Sequence, residues 1–265
     1  MNFNYPYCMI NIKQFQKPKE NDFFFAHHFQ RKISGVFALL LKRTFITPNH
    51  ITLASIIVGL YSFYYFLKGD AYHDLIGILL YQLSFLLDCI DGDLARLRSD
   101  NRAKLSGAYF DYLRALLLEP LLPIFLTIGL VVNGYSELIL IGMIIATIWR
   151  WAPQFAREHI VIRQLERNKD LVNNSQFFVD IPKGFSNKNT SFAGLISKIV
   201  IIFWGLPIGL MNTITILAVT GVYLLNQEQY NEVKFIYLLL LATFYFLHFM
   251  KSTVDEYKLL DEFWK

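Results

Sequence analysis

Three aspartates in the middle of the chain, Asp88, Asp91 and Asp111, stand where long apolar runs end or begin. On a helix, Asp88 and Asp91 are three residues apart and therefore share one face. Charged side chains in such segments are rare and usually mark a functional site. Converging carboxylates repel one another, and a hard cation such as Mg²⁺, shared with a substrate phosphate, relieves that repulsion. The sequence therefore predicts a site for a divalent cation and a phosphorylated ligand.

Small residues accompany these carboxylates at helical spacing. Gly92 and Ala95 continue the face of the first two aspartates, and Arg96 follows them. In the next apolar run Gly107 and Ala115 stand four residues before and after Asp111, again on one face. A ligand could approach the backbone closely on both helices, which favours a binding site over a purely structural one.

Simpler interpretations exist for the charged residues of this region. Ion pairs between helices, made with Arg96 and Arg114, would also explain the three carboxylates, but they leave the glycine and alanine spacing unexplained. Asp93 and Asp100 are predicted to be solvated loop residues. Arg98, Arg102 and Lys104 are predicted to be charges that orient the helices, with contact to a phosphate as the alternative.

The composition indicates an integral membrane protein. Of 265 residues, 54% are apolar and only 17% are charged, whereas a soluble domain usually carries about a quarter charged residues. The basic residues lie between apolar segments and form no single polar face, so no nucleic-acid partner is expected.

Apolar segments of about 20 residues can cross a bilayer as helices, and the sequence contains six candidates. We therefore predict an all-α membrane protein with six transmembrane helices and an amphipathic interfacial helix over 22–45. A cytoplasmic N-terminal segment (1–45) would precede the membrane domain (46–265). The fifth span is the least well defined, since 193–204 could instead lie along the interface before Pro207. The predicted spans are 51–67, 72–92, 107–132, 136–154, 205–225 and 234–250.

Lysine and arginine residues predict the orientation, because they concentrate in cytoplasmic loops. Basic residues cluster before the first span, between the second and third, and after the fourth, whereas the opposite loops hold little beyond Lys68 and Lys234 at an edge. Both termini and the aspartate cluster are therefore expected on the cytoplasmic side. The absence of a targeting segment and the compact size favour a prokaryotic cell membrane.

The motif "DCIDGDLAR…GAYFD" at 88–111 resembles the signature of the CDP-alcohol phosphotransferase family, DxxDGxxAR…GxxxDxxxD. The element "TPNHIT" at 47–52 is similar to a TPNxxT element of the same family. The resemblance covers roughly residues 45–135 well and the remainder only by helix count. It implies a membrane enzyme of phospholipid biosynthesis that transfers a substituted phosphate from a CDP-linked donor, such as CDP-diacylglycerol, to an alcohol acceptor and releases CMP.

The resemblance also implies roles for individual residues. Asp88, Asp91 and Asp111 would be ligands of Mg²⁺ or Mn²⁺, and Arg96 would stabilise a nearby phosphate or the acidic cluster. Arg114 could face the donor diphosphate or pair with Glu119. Family members often form homodimers through membrane helices, which makes a homodimer compatible with the resemblance. The residues expected to line the donor site are Asn49, Asp88, Gly92, Ala95, Arg96, Gly107 and Arg114.

The chain departs from the signature at its last position, where Ala115 replaces an aspartate that would act as general base. The segment between Arg96 and Gly107 is also slightly longer than the resemblance leads us to expect. Three interpretations of Ala115 stay open: the chemistry is disabled, another carboxylate such as Asp111 or Glu119 is the base, or the chain binds a CDP-lipid without catalysis.

A transporter that uses the acidic cluster is an alternative of a different class. Inverted repeats or paired broken helices would favour it, and the sequence has neither. Two further arginines, Arg150 and Arg157, could bind an anionic acceptor or simply anchor the chain in the headgroup region.

Overall fold

A computed structural model describes residues 30–98, 105–167 and 208–263. Within these ranges the chain forms seven helices and no strand. The helices are α1 (Arg31–Leu41), α2 (Pro48–Phe66), α3 (Ala71–Leu97), α4 (Leu105–Val132), α5 (Glu137–Arg167), α6 (Ile208–Tyr223) and α7 (Gln227–Phe263).

The prediction of an all-helical chain with membrane-spanning character is confirmed. Among the residues that the structure describes, three stretches are long and apolar enough to cross a bilayer: Ala71–Leu97, Tyr109–Val132 and Gln227–Lys258. A fourth apolar stretch, Gly209–Tyr223, is shorter. The total of six spans stays a prediction, and the alternative for 193–204 falls outside the described residues.

Helix α1 covers part of the predicted interfacial helix, and residues 22–29 of that prediction lie outside the described ranges. One face of α1, formed by Arg31, Ser34, Gly35 and Ala38, is buried. The other face exposes large apolar side chains, namely Ile33, Val36, Phe37 and Leu40. The helix is therefore two-faced, and its position at a bilayer surface remains a prediction.

The described residues divide into two compact units. The first contains the residues up to Gly59 together with Tyr81–Ala115, and the second contains Leu60–Leu80 together with the residues from Leu116 onward. Every predicted metal ligand belongs to the first unit.

A small apolar cluster holds α1, α2 and α3 together in the first unit. Ala38 of α1 packs with Ile51 of α2 and with Ile90 and Leu94 of α3, and all four side chains are buried. Since burying an aliphatic side chain stabilises a fold by about 1.5–3 kcal/mol, this cluster fixes the start of α2 beside the end of α3.

Arg98 ties the connection between α1 and α2 to the end of α3. Its guanidinium donates hydrogen bonds to the carbonyl oxygens of Leu41, Thr44 and Ile46 at 2.5, 2.9 and 2.7 Å. These carbonyls lie at the end of α1 and in the turn before α2. The interpretation of Arg98 as an orienting charge is incomplete, because the residue also fixes a loop.

The second unit contains a buried charge cluster. Nζ of Lys234 on α7 lies 2.7 Å from Oδ2 of Asp74 on α3 and 2.8 Å from the carbonyl oxygen of Gly69. The hydroxyl of Tyr230 donates to the same carboxylate oxygen at 2.6 Å. The side chains of Asp74 and Lys234 are 0% exposed, so the interpretation of Lys234 as a loop-edge charge is wrong. Its partner is 160 residues away in the chain, and no local pattern reveals it.

The turn at Gly69 makes this cluster possible. Its φ of +76° is a left-handed conformation that favours glycine. A Cβ atom there would also collide with the backbone of Gly129. Backbones of the second unit thus approach closely at Gly69, whose carbonyl oxygen is then available to Lys234.

We expect Lys234→Met to lower the free energy of unfolding by about 3–5 kcal/mol, because it leaves the Asp74 carboxylate buried without its cation. Replacing both residues, as in Asp74→Leu/Lys234→Met, should cost less than the single substitution, because no uncompensated charge remains. Thermal unfolding of the purified chain in detergent measures both.

The matched control is Lys258→Met, which removes an exposed lysine from the same helix. It should leave the unfolding temperature nearly unchanged. A Lys234→Met protein as stable as the Lys258→Met control would contradict a stabilising role for the pair.

Candidate active site

Two of the three predicted metal ligands lie on the last turns of α3. Asp91 is 8% exposed, and the side chain of Asp88 is 19% exposed. Three-residue spacing on the helix places them on one face, as predicted. Their neighbours in the first unit come from α2 and α4.

Asp91 is bound by the TPNHIT element. The hydroxyl of Thr52 on α2 donates a hydrogen bond of 2.6 Å to Oδ2 of Asp91. Thr52 is itself buried, and its hydroxyl is 3.1 Å from the carbonyl oxygen of Pro48 one turn earlier. Because Pro48 begins α2, the position of the helix start sets the position of this hydroxyl. Thr52 is a site residue that the spacing of the charged residues does not reveal, although it ends the element that carries the resemblance.

Asp88 is paired with Arg114 of α4. Nε of Arg114 lies 3.3 Å from Oδ1 of Asp88, and the arginine side chain is only 4% exposed. The guanidinium also lies over the ring of Phe85, 5.6 Å from its centroid. Arg114 therefore faces the carboxylate cluster and pairs with Asp88.

Asp111 completes the cluster, and its side chain is exposed. Its carboxyl group is close enough to Asp88 for a hydrogen bond between them, and its charge also reaches Asp91. The structure thus brings together Asp88, Asp91 and Asp111, as the sequence predicts. Three neighbouring carboxyl groups thus lie beside the guanidinium of Arg114, and the charge of Arg31 also reaches Asp88.

The donor set suits a divalent cation in kind, because Mg²⁺ prefers carboxylate oxygens and a substrate phosphate. The three carboxyl groups are, however, not arranged as a complete coordination sphere. Within 30–98, 105–167 and 208–263, no group of three or more Asp, Glu, His or Cys side chains stands ready to hold a metal ion. Asp88 is instead occupied by Arg114 and Asp91 by Thr52.

The prediction that Asp93 is a solvated loop residue is wrong. Asp93 lies inside α3, and its side chain is 0% exposed. Arg96 donates a hydrogen bond of 2.6 Å to its Oδ1. Asp93 is therefore an acidic neighbour of Arg96 that the sequence did not predict.

The predicted small residues lie beside polar groups in the first unit. A Cβ atom on Gly92 would lie 3.3 Å from Nη2 of Arg96, so this bare position makes room for the guanidinium. A Cβ atom on Gly107 would lie 3.8 Å from Oδ1 of Asn49, which places that asparagine near the α4 backbone. Ala95 of α3 is exposed.

Glu119 belongs to the second unit and is half-buried there. Its charge acts on Arg150 of α5, which also lies over the ring of Trp151, 6.0 Å from the centroid. Arg150 therefore has an acidic and an aromatic neighbour. The side chain of Arg157 lies outside the described residues.

The protein-family model described as CDP-alcohol phosphatidyltransferase matches residues 45–248 of the chain. The chain belongs to the CDP-alcohol phosphatidyltransferase family. The match contains the TPNHIT element and all three clustered aspartates, so the predicted resemblance is confirmed. No curated protein matches the sequence.

The members of this family are transferases that act on CDP-alcohols in a lipid environment. The matched range includes Ala115, which is half-buried on α4.

We expect Thr52→Val to destabilise the chain by about 1.5–3 kcal/mol, because it removes a hydrogen bond to a buried carboxylate while keeping the side-chain shape. Thr52→Ser retains the hydroxyl and should recover most of that loss. Thermal unfolding in detergent compares the two.

Thr243→Val is the matched control, since Thr243 is exposed and its hydroxyl only binds the carbonyl oxygen of Leu239 on its own helix. Equal effects of the Thr52 and Thr243 substitutions would show that the contact with Asp91 contributes nothing to stability.

Proposed function

We propose that the chain is a CDP-alcohol phosphotransferase that transfers a substituted phosphate group from a CDP-linked donor to an alcohol acceptor and releases CMP. The observation that carries this proposal is the convergence of Asp88, Asp91 and Asp111 beside Thr52 and Arg114, all within the residues matched by the family model. A product in phospholipid biosynthesis fits the membrane character of the helices.

Asp88, Asp91 and Asp111 are the residues that would hold a divalent cation in this proposal. A bound Mg²⁺ or Mn²⁺ supplies charge neutralisation for the donor diphosphate and for departing CMP. Thr52 fixes one carboxylate oxygen of Asp91, so that this side chain is held in one orientation before any ligand arrives. Arg114 balances part of the negative charge of Asp88.

The arginines and small residues of the first unit would bind the donor. Arg96 is partly exposed, with 40% of its side chain accessible, and a guanidinium is well suited to phosphate oxygens. Gly92, Ala95 and Gly107 present little side-chain bulk to a nucleotide, and Asn49 lies beside Gly107.

In the transfer step, an acceptor hydroxyl oxygen attacks the phosphorus that carries the donor's alcohol group. A new phosphorus–oxygen bond forms, the bond to CMP breaks, and CMP leaves with the electron pair. The hydroxyl proton needs a base. We assign that role to Asp111, because it is exposed while Asp88 and Asp91 are more buried and bound to Arg114 and Thr52. Glu119 is the alternative base.

A non-catalytic function is the second candidate, and Ala115 is the observation that favours it. A chain without the expected base could bind a CDP-lipid and release no CMP. This candidate and the enzyme share the donor site and differ only in turnover.

The orientation that we propose has six membrane spans with both termini and the donor site on the cytoplasmic side. The exposed apolar face of α1 supports a helix lying at the bilayer surface, since such helices bury one apolar face among lipid headgroups. Large apolar side chains on α1 would otherwise face water.

We expect the purified chain to release CMP from a CDP-alcohol, with CDP-diacylglycerol as the first donor tested, in the presence of Mg²⁺ or Mn²⁺ and a panel of alcohol acceptors. Asp91→Asn should abolish the release. The control is Asp255→Asn, an exposed aspartate on α7. CMP release by wild type and Asp91→Asn at the same rate would contradict the proposed site.

Asp111→Asn should reduce the rate of CMP release about 10²–10⁴-fold if Asp111 is the base, whereas Glu119→Gln should retain activity. The reverse result would move the base to Glu119. Ala115→Asp provides the third comparison: turnover by that variant alone, with donor binding by both proteins, would identify the wild-type chain as the non-catalytic binder.

A further inference from the structure

Three side chains donate hydrogen bonds to the carboxylate of Asp93. Its Oδ1 lies 3.1 Å from Nη1 of Arg31 and 2.6 Å from Nη2 of Arg96, and its Oδ2 accepts a hydrogen bond of 2.5 Å from the hydroxyl of Ser34. The Asp93 side chain is 0% exposed. Burying a carboxylate is costly unless it is paired and hydrogen-bonded, and these three donors fulfil that requirement.

Two of the donors come from α1. Arg31 and Ser34 lie on the buried face of this helix. Arg31 also donates a hydrogen bond of 3.4 Å to the carbonyl oxygen of Cys89, and its charge reaches Asp88. Arg31 and Ser34 of α1 therefore contact α3 at Cys89 and Asp93. These positions are close in the chain to Asp88, Asp91 and Arg96.

The third donor, Arg96, differs from Arg31 in exposure. The Arg31 side chain is 10% exposed, while 40% of the Arg96 side chain is accessible. Arg96 is held on one side by Asp93 and lies over the bare backbone at Gly92. Two guanidinium groups share one carboxylate, so the group of three has a net positive charge, and the accessible part of that charge belongs to Arg96.

We propose that Asp93 is a positioning residue: held by Arg31 and Ser34 of α1, its carboxylate keeps the Arg96 guanidinium over Gly92, in place to bind a phosphate of the nucleotide donor. This inference rests on the proposed function. An arginine side chain loses rotamer entropy when it is ordered, and a fixed guanidinium binds phosphate with less ordering than a mobile one. Donor affinity should therefore depend on Asp93, although Asp93 touches no substrate.

A purely structural role for Asp93, as the anchor of α1, makes a different prediction. In that case any substitution that weakens the contact with α1 should have the same effect as loss of Asp93. The experiment must therefore separate the Asp93–Arg96 contact from the contacts between Asp93 and α1.

Asp93→Asn alone would leave two guanidinium groups beside a neutral amide, and the chain could fail to fold for that reason. We therefore compare Arg31→Met with Arg31→Met/Asp93→Asn. The single variant keeps Asp93 bound to Arg96 and Ser34, and the double variant removes the carboxylate together with the excess charge. Ser34→Ala serves as a second variant that weakens only the contact with α1.

The readout is the affinity of each full-length variant for CDP-diacylglycerol in nanodiscs with Mg²⁺, together with KM for this donor and kcat. Arg31→Met and Ser34→Ala should bind within a few-fold of wild type. Arg31→Met/Asp93→Asn should bind roughly tenfold to a hundredfold more weakly, the range for losing a hydrogen bond to a charged group. Its KM should rise while kcat changes little, as expected for lost ground-state binding.

A double-mutant cycle completes the test. In an Arg96→Gln background that already contains Arg31→Met, adding Asp93→Asn should have little further effect on affinity, because the group that it positions is gone. Full additivity of the Asp93 and Arg96 substitutions would overturn the inference, as would equal losses in Arg31→Met, Ser34→Ala and the double variant.

Failure of the proposed function has its own signature. A wild-type chain that neither binds CDP-diacylglycerol or other CDP-alcohols nor releases CMP would overturn the donor site and the positioning role together. A wild-type chain that binds the donor, with unchanged affinity in Arg31→Met/Asp93→Asn and reduced affinity in Arg96→Gln, would overturn only the role of Asp93.

Discussion

A carboxylate that is withdrawn from water needs a cation, a hydrogen-bond donor or a proton close by, because the loss of hydration is otherwise too costly. This requirement governs every buried aspartate that the structure describes. Each one recruits partners from another helix, so the compensation of charge also determines which helices meet. The site and the stabilising contacts of the protein are two outcomes of the same constraint.

The two units satisfy the constraint differently. In the second unit, Asp74 receives the ammonium of Lys234 and the hydroxyl of Tyr230, and the charges balance inside the protein. In the first unit, Asp88, Asp91 and Asp111 approach one another with Arg114 as an adjacent cation. A balanced buried pair is a structural contact, whereas an unbalanced acidic cluster can accept a cation and a phosphate. That difference is the physical argument for placing the function in the first unit.

The sequence was sufficient to predict the helical membrane class, the three clustered aspartates and the family. These follow from apolar length and from spacing within one or two helices, which local patterns record. Asp93, Thr52 and Lys234 were missed or misread because their partners are far away in the chain: Asp93 binds Arg31 62 residues earlier, and Lys234 binds Asp74 160 residues earlier. The sequence near a predicted loop does not show whether a charged side chain is exposed to water or paired with a residue of another helix.

We propose that the acidic cluster binds a CDP-alcohol through a divalent cation. Equilibrium binding tests this without requiring turnover. The measurement is the affinity of the full chain in nanodiscs for CDP-diacylglycerol and other CDP-alcohols, with Mg²⁺ or with a chelator, for wild type and for Asp88→Asn. We expect CDP-alcohol binding that requires Mg²⁺ and is lost in Asp88→Asn. Binding that is equally tight in the chelator and in the variant would contradict it.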